Sequence, residues 1–127
     1  MEAREIERCI DEFGADVYRF CLKLCMNRED AEDLYQQTFL KALECSLTLE
    51  WEKNPRAFFF AAAHNQWKSS RRKVRIPLIL FYLFEFKVEQ IGRMTGKSPG
   101  TVKSRLFKGR KMIKKRLEEA GYGEERF

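Results

Sequence analysis

The residues best placed to do chemistry in this chain form a basic helical face, not a catalytic cluster. In Ser98-Pro-Gly-Thr-Val-Lys-Ser-Arg-Leu-Phe-Lys-Gly-Arg110, continued to Leu117, the apolar positions Val102, Leu106, Gly109, Ile113 and Leu117 recur at steps of four, three, four and four. Such spacing defines one face of a helix. The other face carries Lys103, Lys108, Lys111, Lys114 and Lys115. Ser98 is the expected cap and Pro99 the first helical residue. Just before it, Val88, Ile91 and Met94 form a short helical stripe that Gly96 ends. A short helix, a glycine-containing turn and a capped basic helix make a helix-turn-helix. The second helix of that motif fits the major groove of DNA. Ser98 and Thr101 lie at its amide end, where a phosphate is attracted. Lys103, Ser104 and Lys108 offer hydrogen bonds to base edges or phosphates, and Phe107 packs on a thymine methyl or a sugar. Arg105 and Arg110 add charge. The bland alternative is an amphipathic hairpin with a solvated basic face.

Other chemistries find little material. Cys21 and Cys25 sit four apart on one helical face, and Cys45 and His64 complete a possible four-ligand set. That spacing is not a zinc-finger pattern, so buried free thiols are expected and no metal. Four cysteines confined to the first 45 residues, with no apolar leader in the N-terminal Met-Glu-Ala-Arg-Glu-Ile-Glu-Arg, read as reduced thiols in a cytoplasm. With one histidine, no phosphate-binding glycine loop and no triad, the chain is not expected to be an enzyme or to hold a cofactor.

The elements that position the basic face read as all-α. Ile6, Cys9, Phe13, Val17, Phe20 and Leu24 form one stripe, which Gly14 either interrupts or sits within. Asn27 with Asp30 resembles a capping box and predicts a helix from about residue 28 to 43. Asn54-Pro55 predicts another, running through Phe58, Phe59, Ala62 and Ala63 to Arg72. Phe58 and Phe59 are expected in the core. Leu78 to Phe86 is apolar and aromatic apart from Glu85 and is assigned to a helix by its neighbours. The longest apolar run, nine residues from Ile76, is too short to span a bilayer, so no membrane insertion is expected. Charge is segregated. The 127-residue chain has net charge +6, but residues 1–50 carry −6, residues 51–73 carry +5, residues 74–117 carry +10 and the tail carries −3. An acidic front followed by two basic segments fits separate surfaces for different partners, one of them a polyanion.

These residues reach a family. Gly100-Thr-Val-Lys-Ser-Arg-Leu-Phe-Lys-Gly-Arg110 strongly resembles the recognition helix of region 4 in bacterial sigma factors of the extracytoplasmic-function (ECF) group. Asp30-Ala-Glu-Asp-Leu-Tyr-Gln-Gln-Thr-Phe-Leu-Lys-Ala42 resembles region 2.2, and Asn54-Pro-Arg-Ala-Phe with Ala63-His-Asn-Gln-Trp67 and Arg71-Arg72-Lys73 resembles regions 2.3 and 2.4. The three motifs stand in the family's order across about residues 5–117. The resemblance implies two small helical domains. Residues 1–73 would bind core RNA polymerase and open the promoter −10 element, and residues 75–120 would read the −35 element. It implies that Asp33, Gln36, Gln37 and Leu40 dock on the β′ clamp helices, with the β flap as a further contact. It places Asn65, Trp67, Lys68, Arg71, Arg72 and Lys73 on −10 DNA. It places Ser98, Thr101, Lys103, Ser104, Arg105, Phe107, Lys108 and Arg110 on −35 DNA. An anti-sigma factor is a further expected partner, with Phe81 to Phe86 as a candidate contact. Ser69 and His64 depart from the common Asp and Arg, and Gly109 from a common Ala.

The junction near residues 73–75 departs most. The family joins its domains by a long linker, whereas Arg71-Arg-Lys-Val-Arg-Ile-Pro77 joins them almost directly. Elements about 17 base pairs apart lie about 58 Å apart at 3.4 Å per pair, and three or four linker residues reach about 14 Å. Either linker residues are missing or the chain is a compact variant. Two other readings fit part of the sequence. A stand-alone helix-turn-helix regulator explains residues 88–117 but not the region 2.2-like motif. A helical interaction module gated by its cysteines would bind DNA without sequence preference.

Overall fold

The computed structural model describes residues 1–44, 53–67 and 75–121, and among them the regular structure is entirely helical. Helix α1 (Ala3–Cys25) buries Ile6, Cys9, Phe13, Val17, Phe20, Cys21 and Leu24. It continues through Gly14 with a kink, Phe13 taking φ −143°. A Cβ at Gly14 would lie 2.9 Å from the Tyr35 hydroxyl oxygen, so the missing side chain leaves room for the tip of Tyr35 from the next helix. Met26 stops α1 in the left-handed region at φ 59°, its N–H donating to the Leu22 carbonyl.

Helix α2 (Arg28–Glu44) starts where the capping signal placed it. The Asn27 Oδ1 accepts from the Asp30 amide at 3.2 Å. Helix α3 (Pro55–Gln66) is capped by Asn54, whose Oδ1 accepts from the Ala57 amide at 3.2 Å. The expected extension to Arg72 does not occur as one helix: Trp67 is already extended at φ −89°, ψ 109°, with its N–H donating to Ala63 and His64 carbonyls. The remainder of that expected helix lies outside the described residues.

Helix α4 (Arg75–Leu78) runs on as a π-helical turn, Ile79–Leu83. The expected helix over Leu78 to Phe86 therefore ends three residues early. Glu85 reverses the chain at φ 59°, and the Phe86 N–H returns to the Leu80 carbonyl at 3.0 Å. That reversal turns both Phe84 and Phe86 inward, where they are 5% and 3% exposed. Helix α5 (Val88–Thr95) ends at Gly96, in the left-handed region, and α6 (Pro99–Glu119) follows after the Ser98 cap.

One apolar core runs from α1 to α6. Phe59 stacks on Phe39 and packs on Phe13, and Tyr35 leans on Phe39 and Tyr18. Phe59 is fully buried and Phe58 partly, in line with the expected core role. A second aromatic group ties the chain on either side of residues 68–74. Phe60 stacks on Phe20 and meets Phe84 and Phe86 edge-on, each at 4.9 Å between centroids. Helix α3 packs along α5, and α5 against α6.

Candidate nucleic-acid interface

Helix α6 presents its basic face to solvent because its apolar face has somewhere to go. Val102, Leu106 and Gly109 are buried. Lys103, Ser104, Phe107, Lys108 and Lys111, at three- and four-residue spacing on the other side, are exposed. Phe107 is 60% exposed, an unusual position for an aromatic ring that has no contact with the core. Lys111 lies over that ring at 5.1 Å. The helix end is prepared by Ser98, whose Oγ accepts from the Thr101 amide at 3.2 Å and sits 3.0 Å from the Thr101 hydroxyl. Thr101 and Arg105 are half-buried at the flank of this face. Arg110 is exposed but leans over Tyr82 at 5.8 Å, so it belongs to the edge beside the π-helical turn. The expected apolar stripe does not stay buried to its end. Ile113 is 50% exposed and Leu117 half-buried, because α6 projects past the elements that cover its first half.

The turn that sets α6 against α5 depends on a glycine that composition alone does not flag. The Lys97 N–H donates to the Gly92 carbonyl at 2.9 Å. A Cβ on Gly92 would lie 2.7 Å from the Lys97 carbonyl oxygen. The chain folds back on Gly92 closely enough to exclude any side chain there.

At the end of α3, Asn65 is exposed, and Trp67 is half-buried with its indole Nε1 enclosed and without a partner among the described residues. His64 beside them is half-buried. Burial holds its imidazole below the ordinary value of 6.5, the Asn65 side chain opposes the shift by hydrogen bonding, and Lys97 reinforces it. Lys97, in the turn of the helix-turn-helix, is near enough for its charge to act on His64. Lys68, Arg71, Arg72 and Lys73 lie outside the described residues.

Helix α2 carries the other candidate surface. Asp33, Gln36, Gln37 and Leu40 are all exposed and fall at positions i, i+3, i+4 and i+7, one continuous face. Leu40, 60% exposed, borders an open apolar groove of about 380 Å³ between α1 and α2. Ile10, Tyr35, Gln36, Phe39 and Leu43 also line it. Ile10 and Leu43 extend the surface beyond the residues that the resemblance singled out.

Sequence reasoning missed Arg56. Its Nη2 donates to the Phe84 carbonyl at 3.2 Å and reaches Asp16 at 3.5 Å. Its guanidinium stacks over Phe60 and Phe86, at 5.0 and 4.5 Å. The only signal in the sequence is a single arginine opening an aromatic run. The cysteines behave as packing residues. Cys9 and Cys21 are buried, and burial together with nearby Cys25 pushes the Cys21 thiol up to about 12. A thiol held protonated is a poor nucleophile and metal ligand. Cys45 lies outside the described residues.

Comparison with known proteins agrees with the order of these surfaces. Residues 9–75 match the family model for sigma-70 region 2, and residues 71–113 match the model for sigma-70 region 4. The two matches overlap, leaving no residue between them. The chain is also similar to the RNA polymerase sigma factor SigV of Bacillus subtilis (strain 168), 21% identical over 147 residues, covering 86% of this chain and 89% of that protein. Since 86% of 127 residues is about 109, about 38 of the 147 aligned positions have no counterpart in this chain. With region 2 and region 4 both present, in that order and side by side, the chain belongs to the sigma-70 family and is a sigma factor of the ECF type.

Proposed function

We propose that this sigma factor docks on core RNA polymerase through α2 and reads promoter DNA through the ends of α3 and α6. Binding of core polymerase and promoter DNA follows from the family. The finer assignment rests on exposure. Asp33, Gln36, Gln37 and Leu40 form one solvent-facing strip suited to the β′ clamp helices, and the groove beside Leu40 adds apolar surface. Asn65 and Trp67, with Lys68, Arg71, Arg72 and Lys73, would contact the −10 element, the aromatic and amide groups suiting unpaired bases. Helix α6 would read the −35 element. Its observed geometry is the main support: every expected base-facing position is exposed while Val102, Leu106 and Gly109 anchor the opposite side. Eight basic residues on α6 against two acidic ones supply sequence-independent affinity.

In this scheme residues 1–73 form the polymerase and −10 unit, and residues 75–120 the −35 unit. The chain supplies recognition and the polymerase supplies the chemistry. The β flap is the expected contact for the second unit, and an anti-sigma factor would regulate access, in a cytoplasmic setting. Among the described residues no helix is long and apolar enough to cross a membrane.

A pull-down of core polymerase by the intact chain tests the α2 assignment. Gln36→Ala/Leu40→Ala is expected to lower retention at least tenfold with an unchanged far-UV spectrum, since both side chains are exposed. Undiminished retention would remove the α2 face from the scheme. On DNA, Lys103→Ala is expected to relax preference at one position, whereas Lys111→Ala should reduce the salt slope by about 1 across all sequences. Specific DNA binding that needs no polymerase would favour the stand-alone regulator.

A further inference from the structure

We infer that the projecting half of α6, together with the π-helical turn beside it, is a docking surface for an anionic lipid bilayer. This surface is separate from the α2 face and from the base-facing residues of α6.

Helix α6 outruns its support. Its apolar stripe is buried at Val102, Leu106 and Gly109. The same stripe continues at steps of four to Ile113, which is exposed, and Leu117, which is half-buried. Every residue from Arg110 to Arg116 is exposed. Beside this stretch the π-helical turn leaves Tyr82 and Leu83 each more than half exposed. Arg110 lies over the Tyr82 ring and stands three residues from Ile113, so the turn flanks the uncovered stripe. Single exposed apolar side chains are ordinary on a protein surface. Tyr82, Leu83, Ile113 and Leu117, on two adjoining elements, make a patch.

Cations rim that patch. Arg110, Lys111, Lys114, Lys115 and Arg116 are five of the seven residues from 110 to 116. None of them forms an ion pair among the described residues, although Glu118 and Glu119 lie within about one turn of Lys114, Lys115 and Arg116. At 3.6 residues per turn, Arg110 and Lys114 fall on one side of Ile113 and Arg116 on the other. Long basic side chains placed so can lay their stems along hydrocarbon while their charged heads meet lipid phosphates.

The combination selects among partners. A second copy would bring the same unpaired cations face to face. DNA accounts for the cations but not for the apolar stripe, which lies on the side of α6 opposite Ser104 and Lys108. A protein partner is anchored by side chains seated in pockets, whereas this helix end is convex and open to solvent all round. An anionic bilayer needs no pocket: apolar side chains enter the headgroup boundary and the basic rim meets the negative surface. Charge segregation orients the chain on it, since the first 50 residues carry −6 and face away. The attachment is peripheral.

The test is flotation of the full chain with vesicles of phosphatidylcholine alone and of equal parts phosphatidylcholine and phosphatidylglycerol. Binding should be at least tenfold tighter to the anionic vesicles. Leu83→Ser/Ile113→Ser leaves the charge unchanged and should lower that binding at least tenfold, with an unchanged far-UV spectrum and unchanged retention of core polymerase. Ile113→Trp should gain emission that brominated lipids quench. Failure of the intact chain to bind anionic vesicles would overturn the inference and leave promoter recognition standing. Equal binding by the double-serine variant, or a tryptophan at 113 that brominated lipid does not quench, would reduce the effect to charge alone and overturn the docking surface. Loss of core polymerase by the double-serine variant would give the patch to a protein partner instead.

Discussion

His64 illustrates how a single side chain can carry the pH response of this molecule. It sits half-buried near the end of α3, and its Nδ1 has no hydrogen-bond partner among the described residues. Burial and Lys97 oppose the imidazolium, and only the Asn65 side chain favours it. The folded protein therefore takes up this proton at lower pH than the unfolded chain, whose histidine titrates near 6.5. Between those two values the unfolded state binds more protons, so stability rises with pH there. The contribution is fully present above 6.5 and is lost as pH falls below it. Urea midpoints measured from pH 8 down to pH 5 should decline below 6.5, and His64→Gln should flatten that part of the curve. An equal decline in both proteins would assign the response to other groups.

At the scale of elements, the helix-turn-helix depends on Gly92 more than on Gly96. Gly96 has a left-handed φ of 70° but open space around its Cβ position, whereas a Cβ on Gly92 would meet the Lys97 carbonyl oxygen at 2.7 Å. A backbone oxygen held by its own turn cannot yield as a side chain would. Gly92→Ala is expected to cost about 1–3 kcal/mol through overpacking, and Gly96→Ala about 1 kcal/mol through backbone conformation. DNA affinity should fall further for Gly92→Ala, because the push falls between α5 and α6. Thermal midpoints and binding isotherms of the two variants check the order, and equal effects would mean that the turn has room to shift. This glycine was not legible in the sequence, since its requirement is a tertiary contact. Caps were legible, because Asn27, Asn54-Pro55 and Ser98-Pro99 act on amides only a few residues away. So was the basic face of α6, which follows from three- and four-residue spacing, whereas the strip on α2 that includes Leu40 was marked out by the resemblance to region 2.2. The end of the Ile79–Leu83 turn was not legible, because a segment apolar on all sides has no period to interrupt. Nor was the exposure of Ile113, since periodicity reports that a helix has a face and not whether anything covers it.

At the scale of the molecule, the question is whether the two halves of the chain fold as one. The aromatic group of Phe20, Phe60, Phe84 and Phe86 lies across the junction, and none of the four is more than 5% exposed. Each half separately would leave part of this surface in water, and units of 50–75 residues are marginal when isolated. Coupling through such a core predicts a single calorimetric transition. At about 0.7 kcal/mol per residue near 60 °C, 127 residues unfolding together correspond to about 90 kcal/mol. The van't Hoff enthalpy should match that value. Independent halves would give van't Hoff enthalpies about half as large, whether or not their midpoints coincide, and that result would refute the coupling. Phe84→Ala is the informative variant. It removes the ring that meets both Phe20 and Phe60, with an expected loss of about 3–5 kcal/mol. Because the loss falls at the junction, α4 to α6 should separate as a transition at lower temperature while α1 to α3 changes little. Leu34→Ala, at a buried position of α2 outside the Phe20–Phe60–Phe84–Phe86 group, should instead lower one undivided transition. The contrast between the two variants distinguishes a weakened junction from a general loss of stability.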